Sequence, residues 1–146
     1  MGRCCVRSGG GAFELVEDAA PVVDNSAWRG LAVVAETAPD GTMHPVGLEL
    51  LGKARELAAK AKCRVIAAAI GADTAKTVEL LLAHGANEVH VYESPELEVF
   101  RIEPYANVLE DFIKSVKPSA VLVGGTPNGR SLAPRVAARF RTGLTA

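Results

Sequence analysis

The stretch VLVGGTPNGRSLAPRVAARFRTGL, residues Val121–Leu144, carries most of the information on the fold of this chain. Its first residues, Val121–Val123, form a short apolar run typical of a buried parallel strand. The turn-forming residues next along the chain are Gly124, Gly125, Pro127, Asn128 and Gly129. Ser131 is a residue type that caps helices, and Pro134 is tolerated in a first helical turn. The stretch therefore predicts a strand, a glycine-rich turn and the start of a helix.

This turn is a candidate binding site, because α/β proteins place anion and cofactor sites where a strand ends and a helix begins. Glycines allow close approach, the helix N-terminus carries partial positive charge, and Arg130 can bind a phosphate or carboxylate through two hydrogen bonds. We expect the turn to face solvent, an anion, a flavin or a subunit interface. The candidate residues are Thr126, Asn128, Gly129, Arg130 and Ser131. In the alternative interpretation, Arg130 pairs with Glu36 or another acid and only fixes the loop.

The same turn differs by one residue from the phosphate-binding loop G-x-x-x-x-G-K-[ST]. In Gly124–Ser131, Arg130 stands at the lysine position, and a planar guanidinium does not replace the compact ammonium that reaches the phosphates. No later apolar strand ends in an aspartate for magnesium. Nucleotide hydrolysis is therefore disfavoured, and a helix-capping turn followed by a solvated basic helix is the simpler alternative.

Strand and helix patterns alternate along the chain. The predicted strands are Leu31–Ala35, Arg64–Ile70, Glu88–Tyr92 and Ala120–Val123. Four such alternations predict an α/β fold with a doubly wound, mostly parallel sheet and helices on both faces, Rossmann-like or adenine nucleotide α-hydrolase-like. A strand order of three-two-one-four would place a topological switch point between the first and fourth strands, so that the loops after Glu36 and Gly124 share one crevice.

The helices between these strands are predicted from apolar residues at steps of three and four. Their faces are Leu50, Leu51, Ala54, Leu57, Ala58 and Ala61; then Ala75, Val78, Leu81 and Leu82; and then Tyr105, Val108, Leu109, Phe112, Ile113 and Val116. Asp73 and Gly85 are expected to cap the second helix, while Pro104 begins the third and Pro118 ends it. The residues expected to be buried between the helices are Val33, Val34, Val65, Ala67, Val89, Val91, Val121 and Val123.

Composition and charge limit the classes of function. The chain has 146 residues, of which 49% are hydrophobic and 23% charged, as in an ordinary globular domain. The net charge of −1 gives no bias toward nucleic acid or membranes. After Asp111, however, two lysines and four arginines occur without an acidic residue. A basic end on an acidic body suggests an anionic ligand or an acidic partner surface.

Cysteine usage indicates a reducing compartment, and we expect a cytoplasmic location. Cys4, Cys5 and Cys63 are odd in number and lack C-x-x-C spacing. No apolar run is long enough for a membrane span, and residues 1–11 lack the apolar core of a signal peptide. Histidines with ligand spacing to carboxylates or cysteines are missing, so no metal site is expected. Neither Ser131 nor Thr126 has a histidine in its segment, and we expect no catalytic constellation.

Residues 1–29 differ from the rest of the chain. They contain three consecutive glycines, Gly9–Gly11, a short predicted strand at Ala12–Val16 and the polar run Asp24–Ser26. We interpret residues 1–29 as an N-terminal arm or the remnant of an upstream module, and residues 30–146 as the α/β domain.

Several segments together resemble the α subunit of electron transfer flavoproteins. They are Trp28–Gly30 leading into VVAE, GLELLGKAREL at Gly47–Leu57, Gly85-Ala86 followed by VHVY, Glu103-Pro104-Tyr105, and above all GRSLAPRVAARFRTGLTA at Gly129–Ala146. The similarity covers nearly everything from Trp28 onward. It departs at Ser131, where the family usually has an acidic residue, and at Gly125-Thr126, where it often has Ala-Thr. Gly2–Val16 is similar to the end of the ferredoxin-like module of longer, anaerobe-type members, without the cysteine spacing for a cluster.

The resemblance implies that this chain is the N-terminal α/β domain of such a subunit. In the family a C-terminal domain, whose sequence this chain lacks, holds most of the FAD contacts. FAD is therefore expected in the full-length heterodimer and not in this chain alone. The implied partners are the β subunit, on which the domain docks, and acyl-CoA or other flavin-linked dehydrogenases, with no nucleic acid and no membrane insertion. The truncated chain is also expected to self-associate through uncovered residues such as Phe140 and Leu144.

Two other classes stay open at this point. A stand-alone adenine-nucleotide-binding α/β domain shares the alternation and the glycine-rich turn, although the strand ending VVAE lacks a nearby serine-rich phosphate loop. The other class is a purely structural interaction domain. As a flavoprotein domain the chain is expected to be an electron carrier rather than a catalyst with its own substrate, and the sequence leaves open whether it is an enzyme.

Overall fold

The computed structural model describes residues 3–7, 13–17 and 25–145. The first two ranges are strands β1 (Arg3–Arg7) and β2 (Phe13–Glu17), which form an antiparallel pair with Arg3 opposite Glu17. Most of the predicted strand Ala12–Val16 lies in β2, and Ala12 itself lies outside the described residues. Strand β1 was not predicted from the sequence.

From residue 25 onward, strands and helices alternate as the sequence predicts. The strands are β3 (Leu31–Glu36), β4 (Val65–Gly71), β5 (Glu88–Glu93) and β6 (Ala120–Leu122). The helices are α1 (Val46–Ala61), α2 (Ala75–Ala83), α3 (Ile102–Val116) and α4 (Pro127–Phe140). Short 3-10 turns lie at Asn25–Ala27 and Pro95–Leu97.

The four strands β3 to β6 form one parallel sheet in the order β5-β4-β3-β6. Leu31 of β3 pairs with Val65 on one side and with Ala120 on the other. This is the three-two-one-four order, and the connections after β3 and β6 lead to helices on opposite faces of the sheet, α1 after β3 and α4 after β6. The switch point of the α/β fold therefore lies between the carboxyl ends of β3 and β6.

Helices cover both faces of the sheet, which confirms the doubly wound α/β fold. The alternation of strand side chains sends Val34 toward α3 and α4 and Val33 toward α1 and α2. The first face is built around Phe112 and Leu109, and the second around Leu51 and small alanines. All seven residues of β4 are buried, as a central parallel strand requires.

The expected burial is confirmed in the central strands and wrong at the edges. Val33, Val34, Val65 and Ala67 are buried. By contrast, Val89, Val121 and Val123 are half-buried, and Val91 is 46% exposed. The reason is the strand order: β5 and β6 each have one neighbour among the described strands, so helices cover them incompletely.

Helix α2 corrects the predicted apolar face. Ala75 and Leu82 are exposed, whereas Thr77 is buried beside Leu81. The Thr77 hydroxyl is hydrogen-bonded to the Thr37 hydroxyl at 3.2 Å, so a polar residue is stable in the buried stripe. In α1, Leu57 and Ala61 of the predicted face are likewise exposed, while Leu51, Ala54 and Ala58 are buried.

The predicted ends of these helices agree with the structure to within two residues, but the N-cap of α2 is Thr74 rather than the predicted Asp73. The Asp73 carboxylate accepts a hydrogen bond from the first amide of α2, at Ala75. Gly85 follows His84, the C-cap residue of α2, and has a φ of 98°, the left-handed conformation that favours glycine. Helix α3 begins at Ile102, two residues before Pro104, and ends at Val116 before Pro118. Across residues 3–7, 13–17 and 25–145, every helix is too short or too polar to cross a bilayer.

Candidate functional site

The candidate turn lies at the carboxyl edge of the sheet, next to the last residue of β3. Strand β6 ends at Leu122, and α4 begins at Pro127 with Thr126 as its N-cap. Because β3 and β6 are parallel neighbours, the turn between β6 and α4 faces Glu36 at the end of β3.

Thr126 joins the two strand ends. Its Oγ1 donates a hydrogen bond to Glu36 Oε1 at 2.6 Å and accepts one from the Gly129 amide at 3.0 Å. The Thr126 carbonyl also accepts a hydrogen bond from the Arg130 amide at 2.9 Å. The carboxylate of Glu36 therefore lies at the N-terminus of α4, where its charge is stabilised by the helix dipole. The negative group at the N-terminus of α4 is thus a side chain of this protein, Glu36, rather than a bound ligand.

Ser131 is not the helix cap that the sequence suggested. Thr126 is the N-cap, and Pro127 occupies the first helical position. Helix α4 therefore starts five residues earlier than a cap at Ser131 would place its start. Ser131 instead lies inside α4 and donates a hydrogen bond to the Pro127 carbonyl at 3.0 Å. Pro134 also lies inside the helix.

Arg130 is exposed, and its Nε donates a hydrogen bond to the Gly125 carbonyl at 3.0 Å. Within the described ranges, it forms no ion pair with Glu36 or another acid. The contact with Glu36 that the alternative interpretation gave to Arg130 is made by Thr126 instead. The remaining guanidinium nitrogens are left available to solvent or a partner.

The first helical turn of α4 offers few of its amides to a phosphate. A Cβ on Gly129 would lie 1.9 Å from the Gly124 carbonyl oxygen, so the loop is closed by its own backbone. In the first turn of α4, Pro127 lacks an N–H, and the amides of Gly129 and Arg130 are bonded to Thr126. In this helical turn the Asn128 amide is the donor outside these bonds, and among the described residues the amides of Gly125 and Thr126, just before the helix, donate no hydrogen bond either.

A groove of about 340 Å³ opens beside Glu36 at the switch point. We call it the switch-point groove, and its lining residues are Glu36, Thr37, Ala38, Pro39, Thr42, Met43, His44, Pro45, Glu98, Val99, Phe100, Tyr105 and Asn128. The Tyr105 hydroxyl donates to the Leu97 carbonyl at 2.8 Å. Burial, and to a lesser extent the charge of Glu36, raise the pKa of Tyr105, so this phenol stays neutral at physiological pH.

Sequence reasoning missed the groove residues that precede and open α3, namely Glu98, Val99, Phe100 and Tyr105. These residues follow β5 in the sequence but line the groove beside Glu36, at the end of β3. Their closeness to β3 depends on how the strands are ordered in the sheet. Their signal was the conditional three-two-one-four order, which identified the crevice but not the segment that closes it.

Half of the six basic residues after Asp111 are paired inside the molecule, whereas Lys117, Arg130 and Arg141 form no ion pair with the described residues. Arg135 is bonded to Glu103, and Arg139 is bonded to Glu103 at 2.9 Å and to Glu110 at 2.8 Å. Lys114 also reaches Glu110, at 2.6 Å. Hydrogen bonds from Lys114 and Arg139 lower the pKa of Glu110. Charges that are separated along the sequence meet because α4 packs on α3.

The described residues give little support to metal or thiol chemistry. In this part of the chain, no group of three or more His, Cys, Asp and Glu side chains could hold a metal ion. Cys63 is a partly exposed free thiol beside a second, more open depression of about 400 Å³ that Arg55 and Lys62 also line.

The expectation of uncovered apolar residues near the end of α4 is wrong for one residue and confirmed for the other. Phe140 packs partly buried against the α3 and α4 face. Leu144, in contrast, is 56% exposed. The uncovered apolar surface at this end of the domain is therefore smaller than the sequence suggested.

Comparisons with known proteins give one consistent family. Residues 31–146 match the family described as the electron transfer flavoprotein domain. The lactate dehydrogenase (NAD(+),ferredoxin) subunit LctC of Acetobacterium woodii is 52% identical over 147 residues, which cover 100% of this chain and 35% of that protein. The electron transfer flavoprotein subunits alpha of Megasphaera elsdenii and Clostridium acetobutylicum are 44% and 41% identical, covering 85% and 82% of this chain and 36% and 35% of those proteins. The chain spans about a third of the length of these relatives.

Proposed function

The chain belongs to the electron transfer flavoprotein family, among its α subunits, and we propose that it docks on a β subunit through its α/β domain and supports FAD-mediated electron transfer from dehydrogenases. In this role the domain carries no substrate of its own. It is an electron-carrier component and a support for the flavin.

The observation that carries this proposal is the internal carboxylate at the N-terminus of α4. A domain of this fold that binds a phosphate or flavin diphosphate needs free amides and positive charge at the switch point. Here Thr126 and Glu36 occupy that position, with 2.6 Å between their oxygens. A switch point that is closed by its own residues suits docking and support better than cofactor binding.

Family membership also supports a cofactor assignment. Electron transfer flavoproteins carry FAD in the full-length complex. We propose that the flavin contacts come mainly from outside residues 31–146 and that this chain alone does not bind FAD stoichiometrically. The groove beside Glu36 supports this, because its two acidic residues, Glu36 and Glu98, would repel a diphosphate.

The proposed partners are the β subunit and, through the complex, acyl-CoA or other flavin-linked dehydrogenases. The name of the Acetobacterium woodii relative adds a lactate dehydrogenase that uses NAD(+) and ferredoxin as a further candidate.

We propose a cytoplasmic location, supported by the odd number of cysteines and by Cys63, a free and partly exposed thiol.

Two measurements test the proposal. Calorimetric titration of the chain with FAD, AMP and ATP is expected to give no binding at 1:1 stoichiometry, and a purified chain that is yellow with about one FAD would contradict it. Mixing the chain with the β subunit and measuring sedimentation is expected to give a complex. If the β subunit and the chain sediment separately at micromolar concentrations, docking through this domain is wrong.

The same titration addresses the adenine-nucleotide alternative. Saturable heat with AMP or ATP but not with FAD would favour a stand-alone nucleotide-binding domain. The structure argues against this outcome, because the Asn128 amide is the one first-turn donor of α4 that Thr126 does not use.

A further inference from the structure

The switch-point groove has apolar walls, of which Val99, Pro39 and Pro45 are exposed, while Met43 packs partly against the α1 and α2 face. Val99 is 63% exposed, the highest value for a large apolar side chain in the described part of the protein. An exposed apolar surface of this kind, lining a concave site, is typical of an interface.

One wall of the groove is preformed. The ring of Phe100 contacts the ring of Tyr105 edge-on, with 4.9 Å between their centroids. Tyr105 is buried and is held by its hydrogen bond to the Leu97 carbonyl at 2.8 Å. An occupant therefore meets a fixed aromatic surface and does not have to order it.

The charges in the groove are negative and partly unused. Glu98 is exposed, and its carboxylate has no hydrogen-bond or ion-pair partner within the described ranges. Glu36 gives one oxygen, Oε1, to Thr126, and its other oxygen is not engaged by the described residues. Among these residues, no lysine or arginine lines the groove. Elsewhere, acids such as Glu103 and Glu110 have arginine partners within the chain.

We propose that the switch-point groove receives a basic side chain of the β subunit, carried on an otherwise apolar segment. The aliphatic stem of an arginine or lysine lies against Val99 and Phe100, and its cation lies between Glu98 and the free oxygen of Glu36. Long basic side chains bury their stems on apolar surface and place the charge on carboxylates in this way. This inference rests on the proposed docking function and adds one specific contact between the two subunits.

The test uses the complete α subunit and its β subunit, with association measured by calorimetry and sedimentation. Glu98→Lys places a like charge against the incoming cation and is expected to weaken association on the order of 100-fold, while Glu98→Gln weakens it about 10-fold and reduces its salt dependence. The matched control is Glu79→Lys on α2, also exposed and remote from the groove, which is expected to change the affinity less than about twofold.

The apolar part of the contact is tested separately. Val99→Ser is expected to weaken association about fivefold or more through loss of buried apolar area, whereas Leu82→Ser, at an exposed leucine on α2, leaves it unchanged. Each variant alone is expected to keep the melting temperature of the unmodified protein, because the Glu98 side chain makes no bond to the described residues that its replacement could break. Thermal unfolding of each variant measures this.

The outcomes separate this inference from the proposed function. If the unmodified subunits do not associate, the docking function itself is wrong. If they associate and Glu98→Lys behaves like Glu79→Lys, docking stands and the groove contact is wrong. If Glu98→Lys leaves the heterodimer intact but slows its reduction by a dehydrogenase, the occupant belongs to the dehydrogenase and the inference is overturned.

Discussion

The two edge strands of the parallel sheet, β5 and β6, differ in their length, in their exposure and in the bonds that hold the chain after them. Strand β5 has six residues, and Val91 at its centre is 46% exposed. Strand β6 has only three, yet the turn after it is tied to β3 by the 2.6 Å hydrogen bond between Thr126 and Glu36. The segment after β5 is held as well, because the Ser94 amide donates a hydrogen bond to the Gly71 carbonyl at 3.2 Å and Glu93 Oε1 accepts one from the Thr74 amide at 3.1 Å. The two edges therefore differ in the exposure of the strand and in the kind of hydrogen bond that holds the chain after it.

The difference has a functional side as well. The open edge at β5 presents polar and charged residues, including His90 and Glu93, which discourage pairing with another strand. The tied edge at β6 presents the switch-point groove and the N-terminus of α4. Substitutions in the tied turn should therefore cost more stability than comparable substitutions on β5.

The largest effect is expected from Gly129→Ala. A Cβ at this position would lie 1.9 Å from the Gly124 carbonyl oxygen, so backbone must move and the cost is on the order of 3 kcal/mol. Gly125→Ala, four residues earlier in the same turn, is the matched control, because nothing lies within 4 Å of its Cβ position. Urea unfolding measures both variants, and equal stability of the two would show that the turn relaxes freely.

A smaller difference is expected from placing a charge on each edge strand. Val121→Asp buries part of a carboxylate against the α3 and α4 face and should cost about 2 kcal/mol. Val91→Asp leaves its carboxylate in water and should cost less than about 1 kcal/mol. Urea unfolding compares the free energies of the two variants. A larger loss of stability for Val91→Asp than for Val121→Asp would contradict the assignment of β5 as the more exposed edge strand.

The sequence predicted the α/β alternation and the central core because both depend on local apolar patterns. Val33, Val65 and Ala67 lie in short apolar runs that a parallel sheet buries, and the structure buries them. The exposure of Val91 could not be predicted, since it depends on which strand lies at the edge. Thr77 was missed because its burial depends on a hydroxyl partner, Thr37, that is 40 residues away in the chain.

The candidate site was predicted in part. The turn after β6 and its meeting with the loop after Glu36 could be expected from the strand pattern and the switch-point rule. The cap was assigned to Ser131 instead of Thr126, although Thr126-Pro127 carries the stronger signal for a helix start. The pairing of Arg139 with Glu110 could not be predicted, because it depends on how α4 packs on α3.

Thr126→Val tests the hydrogen bond between Thr126 and Glu36. The substitution keeps the shape of the side chain but removes the hydroxyl that caps α4 and bonds Glu36, so a loss of about 1–2 kcal/mol is expected. Ser131→Ala removes a hydroxyl that bonds only the preceding turn of the helix and should cost less than about 0.5 kcal/mol. Urea unfolding measures both, and a loss at Ser131 as large as that at Thr126 would place the cap at Ser131 after all.

Tyr92→Phe tests the open edge through pH. Burial, with the hydrogen bond to Asp111 and its charge, raises the pKa of Tyr92 from 10.0 to about 12. The stability that this phenol provides is therefore present below pH 10 and is lost as the pH rises toward 12, because the unfolded chain ionises first. We expect Tyr92→Phe to cost about 1 kcal/mol at pH 7 and to flatten the alkaline loss of melting temperature. If the melting temperatures of the two proteins fall by the same amount between pH 9 and pH 12, this prediction is wrong.

Arg130→Ala is expected to have the smallest effect on stability and is the most direct test of whether the tied turn is functional. Its guanidinium makes one exposed hydrogen bond, to the Gly125 carbonyl, so the loss should stay below about 0.5 kcal/mol. The tie between Thr126 and Glu36 does not involve it, and the turn keeps its shape without it. If Arg130 contacts the β subunit or a flavin phosphate, the variant in the full heterodimer loses subunit affinity or FAD content at unchanged melting temperature. A lower melting temperature with intact assembly and full FAD content would mean that Arg130 only stabilises the loop, and the tied edge would then act through the groove beside Glu36 rather than through the basic turn.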